Sequence, residues 1–197
     1  MKIVVGLGNP GEDYVNTRHN TGRIVVNQFL KNFAFPEMVF NKKLQALESV
    51  GKVGREKVQV VFPETFMNKS GSAVAKIITS KKKAKDLVVV HDDLDMPLGK
   101  IKISWNRGTG GHKGVLSIVK ALKTEEFVRV RVGISAETAG GKLKKPKGEK
   151  EVDKFIIGEF RPTEEAELKK VAKRVSAALE VIVLEDASRA MGEFNRN

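Results

Sequence analysis

The sequence predicts a single α/β domain over residues 1–197, built on a mixed β-sheet flanked by helices. Three observations predict it. Short β-branched runs alternate with segments of helical period, which is the order of an α/β layered fold. Two of those runs, Lys43–Val50 and Lys57–Phe62, are separated only by a turn at Gly51–Glu56, so they read as an antiparallel hairpin and make the sheet mixed. The chain has 197 residues, 41% of them hydrophobic, which suits one core rather than two.

Lys2–Leu7 is a β-branched run that stops at glycine, as a buried strand does. Gly8–Thr21 is rich in Gly, Asn, Pro and Thr and reads as loop. From about Gly22 to Phe33, the apolar residues Ile24, Val25, Phe29 and Leu30 recur at helical spacing. After the hairpin, Ser70–Ser80 carries Ala73, Val74, Ile77 and Ile78 on one helical face, and the polar run Lys81–Asp86 closes it. Leu87–Val90 is unbroken apolar, the mark of a central strand. Lys100–Ser104 alternates as a strand, Asn106–Gly111 is a glycine-rich loop, and Val115–Leu122 is helical.

Phe127–Ile134 alternates Val and Arg, which predicts a strand with one basic face. Ala136–Lys150 is rich in Gly and Lys and is expected to be a mobile loop. Thr163–Leu184 is a long amphipathic helix opened by Pro162 and by Glu164, Glu165 and Glu167, charges that suit a helix N-terminus. A short final helix follows Glu185.

Lys and Arg total 36 against 24 Asp and Glu, a net charge of +12. That imbalance points to a polyanionic partner, nucleic acid before anionic membrane. There is no cysteine, which removes disulfides, thiolate metal sites and a cysteine nucleophile from consideration. No apolar run approaches the roughly 20 residues that span a bilayer, and the opening Met1–Gly11 lacks the form of a signal peptide, so a cytoplasmic protein is expected.

Gly6–Gly11 satisfies G-x-G-x-x-G after a strand. A dinucleotide site needs a helix to begin at once, so that its N-terminus meets the pyrophosphate. Here Asn16–Gly22 interrupts with turn residues, and the nucleotide reading fails. His19 lies in that loop, after Thr17 and Arg18 and before Asn20. His91-Asp92-Asp93-Leu94-Asp95 directly follows a strand. Neighbouring strand residues point to opposite faces, so Asp92 and Asp93 have different jobs.

A carboxylate bonded to one ring nitrogen of His19 would fix its tautomer and leave the other nitrogen to take a proton from water. Without a Gly-x-Ser-x-Gly elbow or a cysteine, water is the natural nucleophile. Asn68, in the segment Pro63–Gly71 that opens a helix, serves either as an N-cap or as an amide donor to a carbonyl oxygen or oxyanion. Met67 either packs in the core or presents a soft surface to substrate. Gly108–Gly114 precedes another helix but lacks the Lys-Ser/Thr of a phosphate-binding loop. The three histidines stand far apart in sequence with no metal-ligand spacing, and no metal is expected. Arg129 with Arg131, and Lys100 with Lys102, form two same-face ladders that read either as a phosphate-tracking stripe or as ordinary solvated charge.

Taken together, these blocks make the chain similar to the bacterial-type peptidyl-tRNA hydrolase family. The matching segments are V-G-L-G-N-P-G at Val5–Gly11, T-R-H-N-x-G at Thr17–Gly22, P-x-T-F-M-N-x-S-G at Pro63–Gly71, H-D-D-L-D at His91–Asp95, G-G-H-x-G at Gly110–Gly114 and R-V-G-I at Arg131–Ile134. They fall in family order between Lys2 and about Gly158, and the C-terminal helices match in character only.

The resemblance implies a single-domain, mixed and twisted α/β sheet. It implies an esterase that releases a peptide from the tRNA 3′ ribose without metal or cofactor, as a cytoplasmic monomer. His19 falls on the catalytic base and Asp92 on the carboxylate that orients it. Asn9 and Asn68 fall on residues that hold the peptide carbonyls, the attacking water or the oxyanion. Met67 falls on the peptide wall and His112 on the groove lining. Tyr14, Lys102 and Arg131 fall on tRNA-contacting positions, the two basic ones on the backbone near its 5′ phosphate.

One departure stands out. Lys113 occupies a position usually held by Asn, where the amide helps bind the substrate end. An ammonium donates but cannot accept, so Lys113 is expected to meet a phosphate or carbonyl instead. The alternative reading is a catalytically silent RNA-binding protein on the same fold. Retention of His19, Asp92, Asn9 and Asn68 favours the hydrolase.

Overall fold

A computed structural model describes residues 1–196. Eight strands form one sheet. In chain order they are β1 (Lys2–Gly6), β2 (Val39–Asn41), β3 (Ala46–Val53), β4 (Glu56–Pro63), β5 (Leu87–Pro97), β6 (Ile101–Trp105), β7 (Val128–Glu137) and β8 (Leu143–Lys144). The helices are α1 (Thr21–Asn32), α2 (Ser70–Val74), α3 (Lys81–Ala84), α4 (Lys113–Leu122), α5 (Glu149–Ile156), α6 (Pro162–Leu184) and α7 (Ala187–Phe194).

The strands lie in the order β2-β3-β4-β1-β5-β7-β6, with β8 paired to β7. The central strands β4, β1, β5 and β7 run parallel, and the flanking pairs are antiparallel. The sheet is therefore mixed, as expected. No helix among the described residues is long and apolar enough to cross a membrane.

The period of two sorts each strand between two cores. Val4, Val88 and Val90 join Val25, Val26 and Phe29 of α1, the apolar stripe of α6, and Ala190 and Phe194 of α7. Ile3, Val5, Leu87 and Val89 face Ala73 and Val74 of α2 and Val115 and Ile118 of α4. A one-residue slip would exchange the two sets, so burial on both faces fixes the register. The parallel strands all end, at their C-termini, beside the loops that carry the polar motifs, the usual place for a site in such a sheet.

Four departures from the sequence reading have clear local causes. The hairpin turn is shorter than Gly51–Glu56, because Gly54 takes a left-handed φ of 57° and lets pairing run to Val53 and Glu56. The helix expected over Ser70–Ser80 stops at Val74, and the Ser80 side chain accepts from the Lys83 N–H (3.2 Å), turning the lysine run into α3. Strand β5 continues through His91–Asp95, because β7 keeps pairing with it at Asp92↔Val132 and Asp93↔Gly133. The Ala136–Lys150 segment is not simply a loop: Ala136 and Glu137 pair with Lys144 and Leu143, and α5 begins at Glu149. The edge strand β2 had no counterpart in the sequence reading.

Gly22 shows how tightly α1 is set against the strand ends. A Cβ there would lie 2.3 Å from the Val90 carbonyl oxygen and 2.6 Å from the Leu7 nitrogen, which are themselves hydrogen-bonded at 3.0 Å. Neither backbone group can move without opening the join between β1 and β5. Gly22→Ala should cost on the order of 3 kcal/mol, the upper end of overpacking effects. Urea denaturation checks this, and an unchanged midpoint would mean that the start of α1 can lift away.

Candidate active site

The chemistry gathers around the middle of β5. His19 sits in a single 3-10 turn (Arg18–Asn20) between β1 and α1, and Asp92 sits near the middle of β5. The fold brings them together: the His19 Nδ1 lies 3.0 and 3.1 Å from the two Asp92 oxygens. Both residues are buried, at 5% and 3% exposure. The His19 Nε2 has no partner among the described residues, yet it is not among the polar atoms sealed from solvent, and the ring lines the cleft. That geometry places the proton on Nδ1, toward the carboxylate, and a lone pair on Nε2, toward the cleft.

Asp92 has a second histidine partner. His112 caps α4: its Nδ1 accepts from the N–H groups of Gly114 (3.1 Å) and Val115 (3.3 Å). Its proton must then lie on Nε2, which donates to Asp92 Oδ1 at 2.9 Å. Burial opposes the Asp92 charge, but the two imidazoles outweigh it and hold the carboxyl well below the usual range. For His19, burial disfavours the imidazolium, but Asp92 more than offsets this and raises the pKa above its ordinary value. His91 donates from Nδ1 to the Asp92 carbonyl (2.7 Å). Burial, with His112 beside it, keeps its pKa well below normal.

His19, Asp92 and His112 bring ligand-type atoms within 4.8 Å of one another. Sequence distance was thus a poor guide to their separation. The donor set still does not suit a metal. His112 commits its unprotonated Nδ1 to the α4 N-terminus and directs an N–H, not a lone pair, at Asp92.

The far side of His19 is built by amides. Asn20 Oδ1 accepts from the Asn9 N–H (2.8 Å), and its Nδ2 donates to the Asn9 carbonyl (3.0 Å). Asn9 Oδ1 accepts from the Met67 N–H (2.8 Å), which orients its NH₂ group and ties two strand-exit loops together. Met67 is buried in the core and also borders the cleft with Phe66, Asn68 and Lys69. Asn68 is exposed and caps nothing; Lys69 holds the N-cap position of α2, without a side-chain bond. The N-cap reading of Asn68 is therefore wrong, because a 3-10 turn at Met67–Lys69 intervenes before the helix.

His19 borders two cavities, of about 310 and 480 Å³. One is lined by Asp92, Asp93, Asp95, the Gly110–His112 loop and Lys145, and the other by Asn9, Phe66, Met67 and Asn68. They share Lys113, Asp153 and Ile156 as well as His19, and Lys113 Nζ bonds both Asp153 oxygens at 2.9 and 3.1 Å. Lys113 thus meets a carboxylate of α5, not an empty groove. The α5 wall was missed from sequence, although Val152, Phe155 and Ile156 carry its helical spacing.

The expected basic stripe is only half present. Lys102 is exposed and pairs across the ladder with Arg131, whose Nε donates to Asp93 Oδ2 at 2.6 Å. Asp92 and Asp93 do face different partners. Arg129 is no phosphate contact: it is 2% exposed and donates to the Gly108 (2.8 Å) and Arg107 carbonyls, bracing the loop before His112. Lys100 lies outside β6, in the turn that precedes it. Tyr14 is half-buried in a 3-10 turn at Glu12–Tyr14.

A mixed α/β sheet with a carboxylate-oriented histidine facing an open cleft has the layout of a general-base hydrolytic enzyme. The family model described as Peptidyl-tRNA hydrolase matches residues 3–197. The chain is 40% identical to the peptidyl-tRNA hydrolase of Syntrophotalea carbinolica, over 99% of this chain and 97% of that one. It is 37% identical to that of Thermodesulfovibrio yellowstonii over the full length of both. Among solved structures, peptidyl-tRNA hydrolase from Acinetobacter baumannii superposes with a TM-score of 0.88 at 27% identity, covering 100% of this chain and 95% of that one. The chain belongs to the peptidyl-tRNA hydrolase family.

Proposed function

We propose that this chain hydrolyses the ester between a peptide, or an N-blocked aminoacyl group, and the tRNA 3′ ribose, recycling tRNA from aborted translation. One observation carries the mechanism: His19 holds a proton toward Asp92 at 3.0 Å and a lone pair toward the cleft. Water in the cleft gives a proton to Nε2 as its oxygen attacks the ester carbonyl carbon. The tetrahedral oxyanion is met by amide N–H groups, for which Asn9 and Asn68 line the same cavity as His19. Collapse breaks the carbon–ribose oxygen bond, and the imidazolium returns its proton to the leaving ribose oxygen. The products are a peptide acid, which ionises, and a free tRNA end. Asp92 keeps its negative charge throughout and stabilises the transient imidazolium, with His112 as its second brace.

In this reading one domain spans residues 1–197 and works as a cytoplasmic monomer without metal or cofactor. Met67 forms part of the peptide wall, and His112 and Lys113 border the substrate end. Tyr14, Lys102 and Arg131 contact the tRNA, the last while held by Asp93. Single-turnover release of N-acetyl-aminoacyl groups from tRNA tests the proposal. Release is expected, with binding that weakens steeply as salt rises. Tight tRNA binding without release would instead favour a silent RNA-binding protein.

Lys113 provides a separate test. Its ion pair with Asp153 is nearly half exposed on both sides (47% and 46%), where such pairs contribute about 0–1 kcal/mol. Lys113→Asn should therefore fold normally and keep or raise the release rate. A collapse to the level of His19→Ala would show that the lysine has taken an essential role.

A further inference from the structure

The proposed reaction makes no use of Arg18, although it adjoins the base and is buried. Its guanidinium faces away from the cleft toward the junction of α5 and α6. Nη1 donates to the Glu159 carbonyl at 2.6 Å, and Nη2 donates to Glu164 Oε2 at 2.8 Å. The guanidinium carbon lies 4.6 Å from the centre of the Phe155 ring and 5.2 Å from that of Phe160. The Arg18 backbone N–H donates to the Gly158 carbonyl at 3.0 Å, and Thr17 forms an isolated bridge with Glu159. All these partners fall within residues 155–164. The same stretch continues α5, whose Val152, Asp153 and Ile156 line the cleft over His19.

We infer that Arg18 is a positioning residue that pins the α5 wall to the loop bearing the base. The inference rests on the proposed function for its kinetic consequence. The loop has its own anchors: His19 is held by Asp92 of β5 and Asn20 by Asn9 just after β1, while the Thr21 hydroxyl donates to the Arg18 carbonyl (2.6 Å) within the loop itself. Val152, Phe155 and Ile156 of α5 pack on the main apolar core, a non-directional contact that holds the wall down without fixing its bearing on the base. Apart from the Arg18 cluster, its polar attachments to other elements are the exposed contacts of Lys113 with Asp153 and, at 3.8 Å, with Glu149. The guanidinium therefore sets the spacing between wall and base. Two features require arginine. A planar fork can serve a carbonyl and a carboxylate at once while stacking on aromatic faces, and an ammonium cannot. The carboxylate it uses also accepts from the Arg161 N–H at 2.7 Å, which fixes the start of α6. The pin is thus seated on the rigid end of a 23-residue helix.

The test compares Arg18→Lys and Glu164→Gln with the unmodified protein. The second keeps an acceptor for the α6 N-terminus and weakens only the charge on the pin, so it remains informative if Arg18→Lys fails to fold. Hydrogen exchange gives a readout that needs no activity: amides of residues 149–157 should lose protection in both variants, while those of β1 and β5 keep theirs. For N-acetyl-aminoacyl-tRNA, KM should rise about 10-fold in Arg18→Lys, the change expected when a binding wall shifts and ground state and transition state lose contact alike. The turnover number and the acid limb of the pH profile should stay close to the original, because the His19–Asp92 contact is untouched. Unchanged exchange over 149–157 in both folded variants would overturn the pin. A fall in turnover with a shifted acid limb and constant KM would overturn it too, since Arg18 would then act on the base itself. Failure of the unmodified protein to release the ester would sink the proposed function and leave the exchange result standing.

Discussion

Replacing His19 by Gln should lower the single-turnover release rate by about 10²–10⁴-fold, the contribution of a positioned general base, while tRNA binding persists. Among the described residues, the ring is the one group lining the cleft that combines an unpartnered nitrogen with a carboxylate behind it. The other two histidines are committed. His91 is buried, with Nδ1 on the Asp92 carbonyl, and His112 spends both nitrogens on the α4 N-terminus and Asp92. His91 keeps a lone pair on Nε2, but that atom is sealed from solvent, and His112 has none to spare. Release and filter binding on the same preparation separate chemistry from affinity. A variant that still releases the peptide at close to the original rate would remove His19 from the reaction.

Asp92→Asn should be almost as damaging, by about 10²–10³-fold within the same general-base range, and it should also move the pH profile. The sign follows from the two opposed influences on His19. The base works only when unprotonated, so activity rises with pH through the His19 pKa. In the unmodified protein Asp92 outweighs burial, and that limb lies above the ordinary histidine value of 6.5. An amide removes the carboxylate but not the burial, which alone favours the neutral ring, so the limb should move to lower pH. The rate on the plateau falls all the same. An amide can present its NH₂ to Nδ1, which puts the imidazole proton on Nε2, where it blocks the lone pair. A drop in rate with the limb fixed in place would mean that Asp92 orients the ring without controlling its charge.

Lys2–Leu7, Gly22–Phe33 and Thr163–Leu184 were legible as elements because each carries its own period and its own stop: a glycine exit, a stripe of Val25 and Phe29, a Pro162 start with an acidic first turn. The motif blocks were legible as candidate site segments because their polar residue types gather at strand exits, and three glycines around Thr109 are left open to solvent, although other glycines of the same blocks, Gly22 and Gly71 among them, answer a packing need. Other features depended on partners remote in sequence. Polar residues at His91–Asp95 look like the end of a strand until β7 supplies the ladder that continues it. Arg129 and Arg131 occupy one strand face and look alike, yet one is sealed under the Arg107–Gly108 carbonyls and the other meets Asp93. Asn68 sits where an N-cap belongs, and only the intervening 3-10 turn frees it from that role.

The amino-acid order alone determined that the chain would layer helices on a mixed sheet and that His19 and Asp92 were the groups to watch, since local period and side-chain chemistry are properties of short segments. Only the tertiary structure decided that Asp92 is shared between two imidazoles, that His112 cannot offer a metal its lone pair, and that α5 walls the cleft through Lys113 and Arg18. Those outcomes depend on hydrogen-bond directions between residues 20 to 146 positions apart, and direction in space is not written in sequence spacing.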